Sequence, residues 1–374
     1  MPDFLYIHIP FCARKCIYCD FLSFPYDRDL ALGYIRALCT ELTLRKEGSG
    51  PLRSVYIGGG TPTSLPEDAF EMLFNVLREQ YAFSSDAEIT VEANPGSVDA
   101  SKFRLLADLG VNRISIGIQS FIDDELKTLQ RIHSSAEAVR AVETAEKVGI
   151  RNISVDLMYG IPGQTASSFQ RSLSTACSLA PVHISTYELT PEERTPLFSE
   201  IRSGKLLLPE EEEVIGMYAC AIDYLTSRGF SHYEISNFAV PGYESRHNLN
   251  YWDRGEYLGA GAGAHSFRGG SRARNTSDMN RYIHDLERSI LPEEDSAIVS
   301  PEEALEELIF LGLRKTQGIA LSAAEALGTD LVRSSGELIE QGYLETDSRF
   351  IRLTDKGLVL SNMVIVRLMK ELGL

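Results

Sequence analysis

Cys12, Cys16 and Cys19 are the residues whose type and spacing most directly promise chemistry. The pattern C-x3-C-x2-C gathers three of the six cysteines within eight residues, directly after a β-rich run. Thiolates are soft ligands that suit iron–sulfur clusters or zinc. Three of them on a short loop can hold three corners of a cubane. Cluster ligation normally takes four cysteines. The nearest other one, Cys39, falls inside an expected helix, which leaves a fourth iron open to a substrate or cofactor. Zinc is the competing reading: His8 would complete a tetrahedron, from an awkward position inside the strand. A thioredoxin-like Cys-x-x-Cys leaves the third cysteine without a role. Buried structural thiols fit poorly with a loop that carries Arg14, Lys15 and Asp20.

Such a loop needs elements to position it. Strand-like runs recur at Phe4–Ile9, Ser54–Ile57, Glu88–Glu92, Arg113–Ile118, Ile153–Leu157 and Val182–Glu188, each ending in Gly, Pro, Asn or a polar cluster. Apolar residues at three-and-four spacing predict helices between them, at Leu30–Leu44, Ala69–Leu77, Ala138–Val148 and Ser168–Leu179. Six strands alternating with helices imply parallel pairing with right-handed crossovers, an α/β sheet or partial barrel. Ligands of such folds bind at the carboxyl ends of the strands. The cysteines, Gly58-Gly59-Gly60-Thr61, Glu92, Gln119 and Asp156 all fall at that rim. Turn-forming strand ends account for the glycines but not for the Glu, Gln and Asp.

Three regions are expected. Residues 1–200 form the barrel, 201–290 an extension, and 291–374 a C-terminal unit of helices and a short hairpin resembling a winged helix, with Pro292–Ser300 as a linker. The 374 residues carry 36 Lys+Arg against 53 Asp+Glu, a net charge of −17. Nucleic-acid and anionic-membrane binding draw on basic side chains, so neither is expected. Residues 291–374, with eight Lys/Arg and fifteen Asp/Glu, have the wrong sign for phosphate contacts. No apolar run approaches the ~18 residues that span a bilayer. Met1-Pro2-Asp3 starts no secretory signal, so a cytoplasmic location is expected.

The cysteine motif and the Gly58–Gly60 run together resemble the radical S-adenosylmethionine superfamily. A narrower resemblance spans nearly the whole chain. Tyr6-Ile7-His8-Ile9-Pro10-Phe11-Cys12, Gly58-Gly59-Gly60-Thr61-Pro62-Thr63, Glu92-Ala93-Asn94-Pro95, Gly117-Ile118-Gln119-Ser120-Phe121 and Asp156-Leu157-Met158-Tyr159-Gly160-Ile161-Pro162-Gly163 are similar to oxygen-independent coproporphyrinogen III oxidase and its relatives. The resemblance implies a 4Fe–4S cluster on the three cysteines, with Tyr6 and Tyr18 flanking it. It implies that the open iron is chelated by S-adenosylmethionine, whose sulfonium is cleaved to a 5′-deoxyadenosyl radical. It places Gly59, Gly60, Thr61, Glu92, Gln119, Arg131 and Asp156 against that cofactor. Two departures point away from the oxidases. Phe21 stands where they carry a further cysteine, and only five residues precede Tyr6. Both are similar to the sister group of HemW-type heme chaperones, as are Cys19-Asp20-Phe21 and His247-Asn248-Leu249-Asn250-Tyr251-Trp252.

In that group the His-Asn-x-x-Tyr-Trp region is associated with heme. Read as residues, His247 is an axial ligand for heme iron, with His265 competing. Tyr251 and Trp252 are flat partners for a macrocycle. Arg246, Arg254, Arg268, Arg272, Arg274 and Arg281 offer bidentate grips on propionates. The bland alternative has His247 and Asn248 capping a turn and the aromatics filling a seam. The expected role is binding heme and delivering it to an acceptor protein, with an electron donor and either a monomer or a homodimer left open. The rivals are a radical tetrapyrrole enzyme and a zinc-binding structural protein.

Overall fold

The computed structural model describes residues 3–46 and 50–374. Met1 and Pro2, part of the start from which the absence of a secretory signal was read, lie outside the described residues. Six parallel strands follow one another in the sheet in chain order: β1 (Phe4–Ile9), β2 (Leu52–Gly59), β3 (Phe83–Ala93), β4 (Arg113–Gln119), β5 (Asn152–Tyr159) and β6 (His183–Glu188). Beyond β6 the sheet continues antiparallel through β8 (Asn237–Ala239) to β7 (Ser231–Glu234). Its other edge is β9 (Leu258–Ala260), parallel to β1. The result is an open nine-stranded sheet around a partial (β/α)6 barrel.

The strands divide their two faces sharply. Leu5, Ile7, Val55, Ile57, Val91, Ile114, Ile116, Val155 and Leu157 belong to the buried apolar core. The alternate residues face the other way, as pleating demands. Register sets Ser54 beside Glu88, Tyr56 beside Thr90, Glu92 beside Ser115, Arg113 beside Asn152, and Gly117 beside Asp156. Most barrels fill their interior with branched apolar residues; this one lines it with polar ones.

Helix Arg28–Leu44 carries an anchor. Glu41 is 0% exposed. Its carboxylate accepts from the Gly261 N–H at 2.9 Å, the Tyr282 hydroxyl at 2.6 Å and the Asn275 amide at 2.7 Å, and pairs with Arg45 at 2.8 Å. One buried charge thus ties the first helix to the segment after β9 and to helix Met279–Glu287.

The expected linker is a strand. β10 (His265–Arg268), β11 (Ser271–Asn275) and β12 (Glu293–Ile298) form an antiparallel sheet. β12 is exposed along its whole length, so its sequence shows no apolar face. Backbone pairing and cross-links such as Arg274–Asp295 at 2.6 Å hold it. Beyond it, helix Pro301–Gly312 begins with a Ser300/Glu303 capping box. β13 (Ile319–Ala320), β14 (Leu344–Thr346) and β15 (Phe350–Leu353) build a small antiparallel sheet against short helices and the final helix Ser361–Leu372. No helix among the described residues is long and apolar enough to cross a membrane.

Candidate functional site

The cysteine loop is pinned at its base. Phe11–Cys12 pairs with Phe24–Pro25, and the Tyr26 N–H donates to the Cys12 carbonyl at 2.9 Å. Between them the Cys19 N–H donates to the Cys16 carbonyl at 3.2 Å, and Lys15 reaches the Phe21 carbonyl at 2.9 Å. All three cysteines are free. The Thr61 hydroxyl lies 3.6 Å from the Cys12 sulfur. Arg131 donates to the Cys16 sulfur at 3.4 Å and the Tyr18 hydroxyl at 3.5 Å, while its other amino group holds the Gly117 carbonyl. Burial pushes the Cys12 and Cys19 thiols up, so thiolates here need a cation beside them.

His8 is not placed to be a zinc ligand. Its Nδ1 meets the Tyr6 hydroxyl at 2.9 Å and its Nε2 the Leu22 carbonyl at 3.0 Å. Among the described residues no three His, Cys, Asp or Glu side chains converge on one ion. A cubane takes its thiolates at separate irons, so the spread of the three sulfurs is compatible with it.

The loop opens on a cavity whose walls come from the strand ends. Gly59 has φ of +119°, and a Cβ there would stand 2.7 Å from the His8 ring. A Cβ on Gly60 would stand 2.7 Å from the Phe11 carbonyl oxygen and 3.0 Å from the Cys12 sulfur. Only glycine lets this turn lie so close to the thiol. Glu92 accepts from the Tyr56 hydroxyl at 2.8 Å and the Gly59 N–H at 3.1 Å, and burial raises its pKa to about 7. Asp156 accepts from Ser115 at 3.0 Å and Ser154 at 3.2 Å; burial raises it too. Gln119 adopts φ of 72° beside a register shift with β5, and its amide oxygen accepts from Tyr187 at 2.5 Å. Tyr18 also borders the cavity, whereas Tyr6 stands behind it, bonded to His8. A deeper cavity of about 640 Å³ adjoins the first and shares Tyr18, Cys19, Phe21, Glu92, Ser115, Asp156 and Tyr187 with it.

Free thiols on a pinned loop, a glycine cradle at the thiol and the orphaned Arg131 Nε behind it fit an iron–sulfur cluster with a small polar cofactor beside it. Tyr56, Arg113, Ser115 and Tyr187 were missed in the sequence. Their signal was the polar half of each strand's alternation.

His247 is not offered to iron. It lies at the start of helix Arg246–Trp252, is 1% exposed, and both ring nitrogens are engaged, Nδ1 with the Ser54 hydroxyl at 3.0 Å and Nε2 with Tyr251 at 2.9 Å. Burial lowers its pKa to about 3, so the ring is a neutral strut between helix and barrel. Five of the six arginines are committed as well. Arg254 and Arg272 share Glu307 at 2.6 and 2.5 Å. Arg246 holds Asp86, Arg274 holds Asp295, and Arg281 holds Glu294. Arg268 and His265 are exposed on β10. A His247→Ala variant should therefore leave the Soret spectrum of bound heme unchanged. It should cost about 1–3 kcal/mol of stability, because buried partners are left unsatisfied. Denaturant unfolding and heme titration check both; a shifted Soret band would show that the ring swings out to iron.

The fold and the site define a radical SAM protein: residues 6–176 match the Radical SAM superfamily and 299–360 the HemN C-terminal domain. The chain belongs to the HemW heme-chaperone family. It is 39% identical to the heme chaperone HemW of Bacillus subtilis, over 98% of this chain and 99% of that protein. It is 35% identical to that of Escherichia coli, over 99% of each. Among solved structures, coproporphyrinogen III oxidase (HemN) from Escherichia coli superposes with a TM-score of 0.85, over 98% of this chain and 90% of that one; at 22% identity this shows a shared fold.

Proposed function

We propose that this chain binds heme and passes it to an acceptor protein, and that it does so in the cytoplasm while carrying a 4Fe–4S cluster on Cys12, Cys16 and Cys19 and S-adenosylmethionine beside it. The observation that carries the cofactor reading is the pinned loop of three free thiols facing Glu92, Gln119 and Asp156 across one cavity. When bound, the cluster supplies an electron able to cleave the sulfonium. The protein's own residues orient the cofactor. The Gly59–Gly60 turn admits its methionine end, Glu92 and Asp156 take its amino group or ribose hydroxyls, and Arg131 orders Cys16, Tyr18 and Gly117 around it. The full-length likeness to curated heme chaperones supports the cargo and the acceptor. Domains 1–200, 201–290 and 291–374 would serve as cofactor barrel, extension and partner-facing unit.

Heme transfer to an apo-acceptor and coproporphyrinogen turnover, measured in parallel under anaerobic conditions, test this reading. Transfer without protoporphyrinogen above background supports it. Phe21, 69% exposed at the cavity mouth, supplies no thiol there. Robust turnover would place the chain with the oxidases.

The pH dependence of S-adenosylmethionine binding follows from Glu92. A carboxyl near 7 is mostly protonated below that pH and cannot pair with an ammonium group. Affinity should fall up to about tenfold per unit below 7 and level off above it. Asp156, Tyr56 and Arg113 face the same carboxyl, and burial raises Asp156 as well. Equilibrium binding between pH 5.5 and 8.5 checks this, and Glu92→Gln should flatten the profile.

A further inference from the structure

Arg113 is the first residue of β4 and 2% exposed. Its guanidinium has no hydrogen bond or ion pair with any described residue, and Nε is enclosed without a partner. Glu92 and Asp156 feel its charge without bonding it, so the donors of the fork stay unmet by the protein. The group lines the deeper cavity. The two nearest candidates for partner are committed elsewhere, Glu92 to Tyr56 and Gly59, and Asp156 to Ser115 and Ser154. Gln119, at the cluster end of the same strand, is six residues away, about 20 Å at ~3.3 Å per residue. The strand therefore enters the barrel at its floor, and the unpartnered fork lines the cavity below Glu92 and Asp156 rather than the cluster end.

We propose that Arg113 is the floor of a carboxylate-binding site, which takes an acidic arm of a ligand whose apolar body lies in the deeper cavity toward Phe21. A carboxylate fits better than a phosphate. Among the described residues Arg113 is the one cation lining that cavity, against Asp20, Glu92, Asp156, Glu188 and Glu192, so a singly charged, planar, bidentate anion is neutralised where a dianion would be repelled. Tyr56, Met158 and Leu189 supply apolar wall. Resting on the reading that the cargo is heme, the arm is a propionate, and the macrocycle enters edge first with one propionate leading. Five of the six arginines between 246 and 281 are already paired with protein carboxylates, and this grip does not need them.

The test compares heme with heme dimethyl ester on the reconstituted holo-protein, by anaerobic Soret titration. Wild type should bind the free acid about tenfold or more tighter than the ester. Arg113→Met should abolish that preference while leaving ester affinity unchanged, and Arg113→Lys should keep part of it. Equal weakening of acid and ester in Arg113→Met, or a preserved preference, would overturn the site and leave the arginine a structural charge. Should the Met variant not fold, wild type and Arg113→Lys decide: no preference for the acid in wild type overturns the proposal. If neither form binds wild type, the heme reading fails by itself. The site is then read with 13C-labelled butyrate by NMR: broadening in wild type that Arg113→Lys reduces keeps it, and no broadening removes it.

Discussion

Alanine at Cys12, Cys16 or Cys19 should yield protein with no bound iron or sulfide and no broad thiolate-to-iron absorption, whichever of the three is changed. A cubane held by three protein thiolates has no spare corner, and the remaining two sulfurs sit on a loop shaped for three. The other cysteines should be dispensable. Cys39 is buried in helix Arg28–Leu44 with its thiol toward the Met72 carbonyl at 3.8 Å, and burial pushes it up to about 12. A thiol that resists ionisation is a poor ligand. Cys177 and Cys220 pack on helices outside the sheet. Iron and sulfide assays of anaerobically reconstituted variants decide the matter. A normal cluster in Cys16→Ala, or its loss in Cys39→Ala, would reassign the ligands.

Glu41→Ala should be the most destabilising single change outside the cluster, at about 3–5 kcal/mol. It strips three hydrogen bonds and leaves Arg45, itself 5% exposed, as a buried charge whose remaining acid, Glu293, lies at 3.4 Å. The Tyr282 hydroxyl and the Gly261 N–H lose their acceptor as well. Glu41→Gln keeps the shape but removes the charge opposite Arg45, and should cost less. The double change Glu41→Leu with Arg45→Met should recover part of the loss, because it removes the unpaired ion rather than creating one. Urea unfolding of the cluster-free protein measures all three. A Glu41→Ala midpoint close to wild type would mean that the helix is held by apolar packing alone.

The cofactor half of the site was legible in the sequence because its signals are local. β1 has the bounds its apolar run suggests, and the cysteines, Gly59, Gly60 and Asp156 announce themselves by type and spacing. What escaped depends on partners far along the chain. Glu41 reads as a polar residue on a helix, and only the approach of Gly261 and Asn275, more than 200 residues on, makes it a buried anchor. His247 looks like a ligand until Ser54 and Tyr251 are seen on either side of its ring. Arg272 and Arg274 look like a free basic patch until the acids of β12 and helix Pro301–Gly312 are set against them. β12 itself hid because an edge strand exposed on both faces needs no apolar alternation.

The polar interior of the barrel has a consequence for how the protein can change. Cohesion comes from the other face of each strand, where Ile57, Val91, Ile116 and Val155 meet the helices, and almost none of it from Ser115, Ser154 or Ser185 within. Removing an apolar outer residue opens a cavity and costs several kcal/mol; exchanging an inner hydroxyl such as Ser115 or Ser154 costs the hydrogen bonds it gives Asp156 and His183, about 1–3 kcal/mol. Saturation mutagenesis read out by folded yield alone should show strict residues alternating with more permissive ones along each strand, the more permissive ones facing the ligand space. A scaffold so divided can try new cargo-contacting residues one at a time without risking collapse, and selection can act on recognition almost independently of folding.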